Sequence, residues 1–290
     1  MSVGGMGDQA GQGAAAGGTT VAGIPRIIHQ TYPTLDLPPI LAANVAKLRT
    51  QNPTWEHRLY DDAAIESFIL AEYGSAVLAS YNRIEARYGA ARADLFRYLL
   101  INRVGGLYLD IKSGADRPLD DIFREDDTFI ISQWRARRGE PHEGWGWHWE
   151  LRRNVGGEFQ QWFIAAVSGH PFLAAVIARV LANIDTYSPY RHGVGRAAVL
   201  RITGPIAYTQ AISPLLPNHT HRRVLNESVL GLRYSIVPGT EHRRFFARHY
   251  QDQHLPLIGP APGWAGRLAV RLAAGGRMFR HKVFIRVNRG

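Results

Sequence analysis

Short apolar runs alternate along the first third of the chain with segments whose apolar positions recur every three or four residues. Residues 24–32 form a β-branched run closed by polar residues, which predicts a buried first strand followed by a functional loop. Residues 41–49 have helical spacing and residues 56–60 predict a second strand. The next two aspartates can cap a helix over 63–72. This alternation predicts an α/β sheet covered by helices.

The central stretch carries the polar residues that are most typical of a ligand site. Residues 90–102 have helical spacing and carry Asp94 and Arg97 three positions apart, hence on one helix face. A Gly-Gly break follows, and residues 107–111 predict a short strand that contains Asp110 near its carboxyl end. Open α/β sheets bind ligands at that end of their strands. We therefore expect the chemistry here.

Later segments continue the same pattern with weaker signals. Residues 129–131 predict a strand, 172–184 a helix and 229–237 a late strand. The Asp120-Asp121 pair can cap a short helix. Residues 134–154 have little periodicity, and we interpret them as a loop or hairpin over the site.

Composition fits a globular protein, with 46% apolar and 20% charged residues, and excludes disorder of the whole chain. Residues 1–23 are rich in glycine and alanine, do not resemble a secretory signal, and are expected to be a flexible tail. The net charge of +10 suits nucleic acid, an anionic membrane surface or a phosphate-bearing substrate. The absence of cysteine excludes disulfides and thiolate metal sites and permits the cytoplasm.

The last segment, residues 264–290, differs from the rest because all its charged residues are basic and are interleaved with apolar ones. Basic amphipathic segments often lie on anionic membranes, which predicts a peripheral position at the inner face of the membrane. The alternative is a terminal helix and strand docked on the domain.

The central residues suit a polyhydroxylated phosphate ester. A carboxylate at a strand end near a diphosphate, such as Asp110, normally acts through a divalent metal. The carboxylate of Asp94 can accept hydrogen bonds from hydroxyls, and the guanidinium of Arg97 can grip phosphate or sugar oxygens. By spacing alone, however, such an Asp-Arg pair is more often a surface ion pair, and an aspartate after a strand is commonly a turn residue or helix cap.

A resemblance to a known family changes that balance. The segments IPRIIHQTY, WEHRLYDD, GAARADLFRYLLINRVGGLYLDIKS, QQWFIAAVSGHPF and TGP occur in this order. Together they resemble glycosyltransferase family 32, the family with a sugar-binding region containing a DXD motif. That family includes outer-chain α-mannosyltransferases and bacterial capsular polysaccharide glycosyltransferases. The resemblance covers roughly residues 24–205.

The resemblance implies a fold, a reaction and a set of residues. The fold is of the GT-A type, a Rossmann-like nucleotide-sugar-binding α/β domain with a mostly parallel central sheet, here over residues 24–263. The reaction is transfer of a sugar from a nucleotide-sugar donor with retention. Asp94 and Arg97 match the positions that hold donor sugar and phosphate, and Asp110 matches the first aspartate of the motif. The segment expected near the nucleotide is matched by His29, Gln30 and Thr31. The aromatic residue just before the motif is matched by Tyr108.

One departure from the family pattern concerns the metal. The second acidic position of the motif is Lys112, so the pair Asp110 and Lys112 carries no net charge. Either Asp110 still holds Mn²⁺ or Mg²⁺ with help from elsewhere, or the Lys112 ammonium partly replaces the metal in neutralising a diphosphate. On a strand both side chains would point to one face. A third alternative leaves Lys112 in solvent. His249 is the candidate for a missing metal ligand.

Aromatic residues predict where an acceptor binds. Trp145, Trp147 and Trp149 form a plausible platform because sugar rings stack on aromatic faces. The alternative is a small aromatic cluster under a long loop.

Three functions follow in order of preference. The first is a glycosyltransferase that transfers mannose, galactose or a similar hexose to a glycan or lipid acceptor. The second is a non-catalytic nucleotide-sugar or carbohydrate-binding relative. Nucleic-acid binding, motivated by charge alone, ranks far below both, and we expect no nucleic-acid partner.

Overall fold

The computed structural model describes Met1, residues 23–237 and residues 254–259. The strands in these residues are β1 (Ile27–Thr31), β2 (Glu56–Tyr60), β3 (Gly106–Leu109), β4 (Gly114–Ala115), β5 (Phe129–Ile131), β6 (Phe163–Ala166), β7 (Arg222–Arg223) and β8 (Leu232–Arg233). The α-helices are α1 (Pro39–Gln51), α2 (Asp62–Asn82), α3 (Gly89–Val104), α4 (Pro171–Asp185), α5 (Pro189–His192), α6 (Gly195–Ile202), α7 (Pro205–Ile212) and α8 (Glu227–Leu230). Short 3₁₀ helices cover Leu119–Asp121, Trp149–Leu151 and Ser213–Asn218.

Six strands form the central sheet in the order β2-β1-β3-β6-β5-β7. Strand β1 pairs in parallel with both β2 and β3, and β5 pairs in parallel with β7. Strand β6 is antiparallel to both of its neighbours. The predicted α/β class with a mostly parallel central sheet is confirmed. Because β1 and β3 are parallel, their carboxyl ends meet at one edge of the sheet.

Alternating side chains of the sheet enter two different cores. Tyr108 and Ile164 pack into a cluster with buried residues of α2, α3, α4, α6 and α7. Their neighbours Leu107 and Phe163 pack into a second cluster with Leu48 of α1. The period of two along a strand therefore buries both faces of the sheet.

The predicted glycine break makes the turn from α3 into β3. Gly105 and Gly106 have φ values of +73° and +99°, which disfavour residues with a side chain. A Cβ atom on Gly106 would lie 2.7 Å from the carbonyl oxygen of Ile27. This turn thus lets β3 begin directly against β1.

Three local predictions differ from the structure. Strand β3 ends at Leu109, because the backbone turns after Asp110, where Ser113 N–H donates to the Asp110 carbonyl at 2.8 Å. Of the late strand predicted over 229–237, only β8 forms, because residues 229–230 end α8, which the Asn226 side chain caps, and residues 234–237 are irregular. The acidic pair at 120–121 does not cap a helix but lies inside the 3₁₀ helix, and Asp120 instead accepts hydrogen bonds from Thr54 and Trp55.

Two predicted segments, residues 1–23 and 264–290, fall outside the described residues almost entirely, so the domain boundaries stay predictions. Within the described residues, no helix combines the length and the apolar character needed to cross a membrane.

Candidate active site

A cavity of about 1000 Å³ opens at the edge of the sheet where β1 and β3 end. Its walls include Thr31 and Tyr32 at the end of β1 and Asp110 just after β3. Helix α3 contributes Asp94 and Arg97 to the same cavity. The structure therefore brings together the three residues that the sequence predicts as catalytic.

Asp94 is almost fully buried and both of its carboxylate oxygens have partners. Oδ1 accepts a hydrogen bond from Gln161 Nε2 at 3.0 Å, and Oδ2 accepts one from Thr203 Oγ1 at 2.9 Å. Burial raises the pKa of Asp94, while the charge of Arg97 and the two hydrogen bonds oppose that rise. The carboxylate is thus a fixed acceptor in a polar network.

Arg97 connects helix α3 to the end of β3. Its Nη2 atom lies 3.3 Å from Asp94 Oδ1 and 3.2 Å from Asp110 Oδ1, and Nη1 donates to the Gln161 carbonyl at 2.7 Å. The guanidinium also stacks over the Tyr108 ring at 4.6 Å. Burial works against its charge, yet its pKa lies above the ordinary value because Tyr108, Asp110 and Asp94 favour the charged form. The spacing predicted one face for Asp94 and Arg97, and the structure places them as a buried ion pair.

Asp110 is the more accessible of the two carboxylates, with 22% of its side chain exposed. Its backbone is fixed on three sides. Its N–H donates to the Trp162 carbonyl, and its carbonyl accepts from Ser113 N and from Gln30 Nε2. The carboxylate is therefore held in place while part of it faces the cavity.

Lys112 also lines the cavity, which excludes the alternative of a solvated side chain. Its Nζ lies 4.0 Å from Asp110 Oδ2 and 3.7 Å from the centre of the Tyr234 ring. Burial lowers the pKa of Lys112 to about 8, with Asp110 opposing and Arg97 adding to that shift. Although Asp110 and Lys112 follow a strand instead of lying within it, the turn still brings their charges together.

The four residues predicted near the nucleotide divide into two pairs. Thr31 and Tyr108 line the cavity, and their hydroxyl oxygens are 3.0 Å apart. His29 and Gln30 are buried and do not line it. His29 Nε2 donates to the Gly105 carbonyl, and Gln30 supports the backbone of Asp110. Alternation along the strand turns Gln30 away from the face that Thr31 occupies. His29 shares that face but is fully buried, because its ring nitrogens bond to the Gly105 carbonyl and the Tyr60 hydroxyl.

The described residues do not fit the divalent metal that the resemblance implies. They contain no group of three His, Asp or Glu side chains placed to hold a metal ion. Each oxygen of Asp110 faces a cation, Arg97 at Oδ1 and Lys112 at Oδ2. The other proposed ligand, His249, lies outside the described residues.

Several cavity residues were not assigned a role from the sequence. Gln161 forms hydrogen bonds with Asp94, Arg97 and Tyr98. Its segment is part of the family resemblance, which assigned no role to Gln161 itself. The indole Nε1 of Trp162 is buried with no hydrogen-bond partner within the described chain. Arg196 of α6 is exposed at the cavity and has no ion pair there with any described residue. None of these has a local sequence signal.

The tryptophan-rich segment lies partly over the cavity, as predicted. Trp145 lines it and packs edge-on against Trp134 and Tyr234. Trp147 and Trp149 do not line it and are largely exposed. The predicted platform of three is therefore reduced to Trp145 at the cavity itself.

Residues 38–129 match the family described as "Glycosyltransferase sugar-binding region containing DXD motif". This range includes Asp94, Arg97, Asp110 and Lys112. The resemblance predicted from the sequence is confirmed.

Curated relatives of the chain include mannosyltransferases. Inositol phosphoceramide mannosyltransferase 3 of Schizosaccharomyces pombe is 29% identical over 186 residues, 64% of this chain and 44% of that protein. The initiation-specific alpha-1,6-mannosyltransferase of the same organism is 26% identical over 178 residues, 58% of this chain and 43% of that protein. The chain thus spans less than half the length of either relative. Among solved structures, the PaToxG glycosyltransferase gives a TM-score of 0.48 at 16% identity, covering 79% of this chain and 86% of that one.

Proposed function

We propose that this chain is a glycosyltransferase that transfers mannose, or a similar hexose, from a nucleoside-diphosphate sugar to a glycan or lipid-linked acceptor. The observation that carries the proposal is the ion-pair network of Asp94, Arg97 and Asp110 at the cavity, inside the region that matches the family. The names of the relatives support mannose as the sugar, and the name of one, which includes inositol phosphoceramide, supports a lipid-linked acceptor.

In the proposed reaction, the bond between the anomeric carbon and the diphosphate oxygen breaks, and its electron pair stays on the diphosphate. The acceptor hydroxyl oxygen bonds to the anomeric carbon, and its proton passes to the departing phosphate. Both oxygens occupy the same face of the sugar, so the configuration is retained. Asp94 is 3% exposed and is held by hydrogen bonds from Gln161 and Thr203, so we assign it a positioning role and not that of a covalent nucleophile.

The proposed role of each residue follows from how accessible its side chain is from the cavity. Arg97 holds Asp110 and orders the Asp94 network, while Asp110 is the carboxylate that reaches the donor. Thr31 and Tyr108 provide hydroxyl groups at the same edge for the nucleotide or the sugar. A cytoplasmic location, peripheral to the inner face of the membrane, remains part of the proposal.

A donor panel tests the function. Purified chain is incubated with GDP-mannose, UDP-galactose and UDP-glucose, each with mannose oligosaccharides or a phosphoinositol ceramide as acceptor. We expect transfer from GDP-mannose, with the α configuration of the donor kept in the product by NMR. Nucleotide-sugar binding without transfer or hydrolysis would favour the non-catalytic relative, and a β product would contradict retention.

A further inference from the structure

In a paired acidic motif, the second position carries a carboxylate. In this chain that position is Lys112, which carries an ammonium group. Lys112 is one of three lysines, the others being Lys47 and Lys282, in a chain whose other basic residues are arginines. It is 8% exposed, yet it belongs to the cavity wall. Its contacts explain how a buried amine remains there, since Tyr234 offers its ring face and Asp110 a carboxylate.

The net charge of a metal-bound pair of carboxylates can be compared with that of a carboxylate paired with an ammonium group. Two carboxylates with one divalent cation sum to zero, and so does one carboxylate with one ammonium. Asp110 and Lys112 therefore reach, without a metal, the local charge that a paired acidic site reaches with one. A divalent cation placed between Arg97 and Lys112 would instead meet two positive charges for one accessible carboxylate, which opposes its binding.

Further donors for an anion line the same cavity. Arg196 brings a guanidinium that pairs with no described carboxylate. It lies near enough to Tyr234, the ring beneath Lys112, to influence its ionisation. Trp162 adds an indole N–H that is buried without a partner. These groups, together with Lys112, suit an anion that carries more than one charge.

We propose that Lys112, with Arg196, binds the diphosphate of the nucleotide in place of a divalent metal, so that nucleotide binding is independent of metal. The inference rests on the proposed function, because it names the group that the cavity binds. The departing diphosphate then takes its countercharge from side chains, with the ammonium donating hydrogen bonds to phosphate oxygens.

Two binding measurements test this inference without any turnover. Calorimetry with GDP and with UDP is run in EDTA and again with Mn²⁺, and paramagnetic resonance follows Mn²⁺ alone with the protein. We expect one of the nucleotides to bind with a dissociation constant that agrees within about twofold in the two conditions. We also expect no stoichiometric Mn²⁺ binding by the chain.

Variants separate charge from structure. Lys112→Met keeps the length and apolar stem but removes the charge, and it should weaken nucleotide binding about tenfold or more. Lys112→Arg should restore most of the affinity, and the exposed Lys47→Ala is the matched control, with unchanged affinity. Lys112→Asp should create a Mn²⁺ requirement for nucleotide binding. Thermal melting shows that each variant is folded.

The outcomes distinguish the inference from the function on which it rests. Nucleotide binding that requires Mn²⁺ in the unaltered chain, or full affinity in Lys112→Met, would overturn the inference and leave the glycosyltransferase proposal intact. If neither nucleotide nor any nucleotide sugar binds with or without Mn²⁺, the proposed function fails and the inference fails with it.

Discussion

The guanidinium of Arg97 lies 3.2 Å from the carboxylate of Asp110, which joins the middle of helix α3 to the first residue after strand β3. The two residues are 13 positions apart, and the glycine turn between them sets their meeting point. The same guanidinium pairs with the buried Asp94. One cation thus serves two carboxylates at the edge of the cavity.

Removing the charge of Arg97 should destabilise the fold as well as the site. Arg97→Met leaves Asp94 buried with no cation, which costs about 3–5 kcal/mol in the free energy of unfolding. Denaturant unfolding followed by circular dichroism measures this loss. The exposed Arg87→Met, whose partner is Glu85, should change stability by less than about 1 kcal/mol. Equal losses in the two variants would contradict a central role for Arg97.

Asp110→Asn should abolish most turnover while leaving the fold intact. The substitution keeps the shape and the backbone hydrogen bonds but removes the charge that faces the cavity. We expect the rate with the productive donor to fall by about a hundredfold or more, the size of a lost charged contact in a transition state. Initial rates at saturating donor measure it, and the exposed Asp36→Asn is the control. An unchanged rate in Asp110→Asn would remove Asp110 from the proposed machinery.

Thr203 should matter for stability although it lies far from Asp94 in sequence. Thr203→Val removes the hydroxyl that donates to the buried Asp94 Oδ2 and leaves that oxygen without this donor. The expected cost is about 1–3 kcal/mol in the free energy of unfolding. Thr186→Val removes an exposed hydroxyl bonded to its own helix and should cost much less. Similar losses in both variants would show that the Asp94 contact adds nothing.

The sequence could predict the parts of this site that lie on one element and not the parts that meet through the fold. Asp94 and Arg97 share a helix face, and Asp110 follows a short apolar strand, so period and turn signals together with the family resemblance sufficed. Gln161 and Thr203 contact Asp94 across separations of 67 and 109 residues, which no local pattern encodes. The end of β3 was also missed, because the turn after Asp110 is fixed by backbone hydrogen bonds and not by side-chain type.

Stability should fall as the pH drops from neutral to 5, because His29 is buried in its neutral form. Burial lowers the pKa of His29 to about 4, against an ordinary value of 6.5. The unfolded chain therefore takes up a proton between these two values while the folded chain does not, and folding loses about 2 kcal/mol from His29 by pH 5. His57 is only partly buried, and burial lowers its pKa to about 4 as well, so it adds a smaller loss that solvent screening reduces. The loss is absent above pH 7.

Urea unfolding at pH 7.5, 6 and 5 measures this dependence. His29→Gln can still donate to the Gly105 carbonyl but cannot take up a proton. The variant should show a flatter profile over the same range. An equally steep profile in His29→Gln would assign the pH dependence to other groups.

Trp145 should contribute to binding of the acceptor and not of the donor. It lines the cavity and its ring is held edge-on by Trp134 and Tyr234, at centroid distances of 5.2 Å and 5.9 Å, while 46% of the residue stays exposed. A rigid aromatic ring with an open face suits stacking against a sugar of the acceptor. Trp145→Ala should raise the KM for the acceptor about tenfold, with the KM for the donor unchanged within about twofold.

Trp149 provides the matched control for this prediction. It belongs to the same segment and is more exposed, at 77%, but it does not line the cavity, and Arg152 covers its ring at 4.5 Å. Trp149→Ala should therefore leave both KM values unchanged. Initial rates with varied acceptor and with varied donor separate the two effects. If the two tryptophan variants raise the acceptor KM equally, the acceptor platform extends beyond the cavity along the whole segment; if neither does, the aromatic cluster is structural.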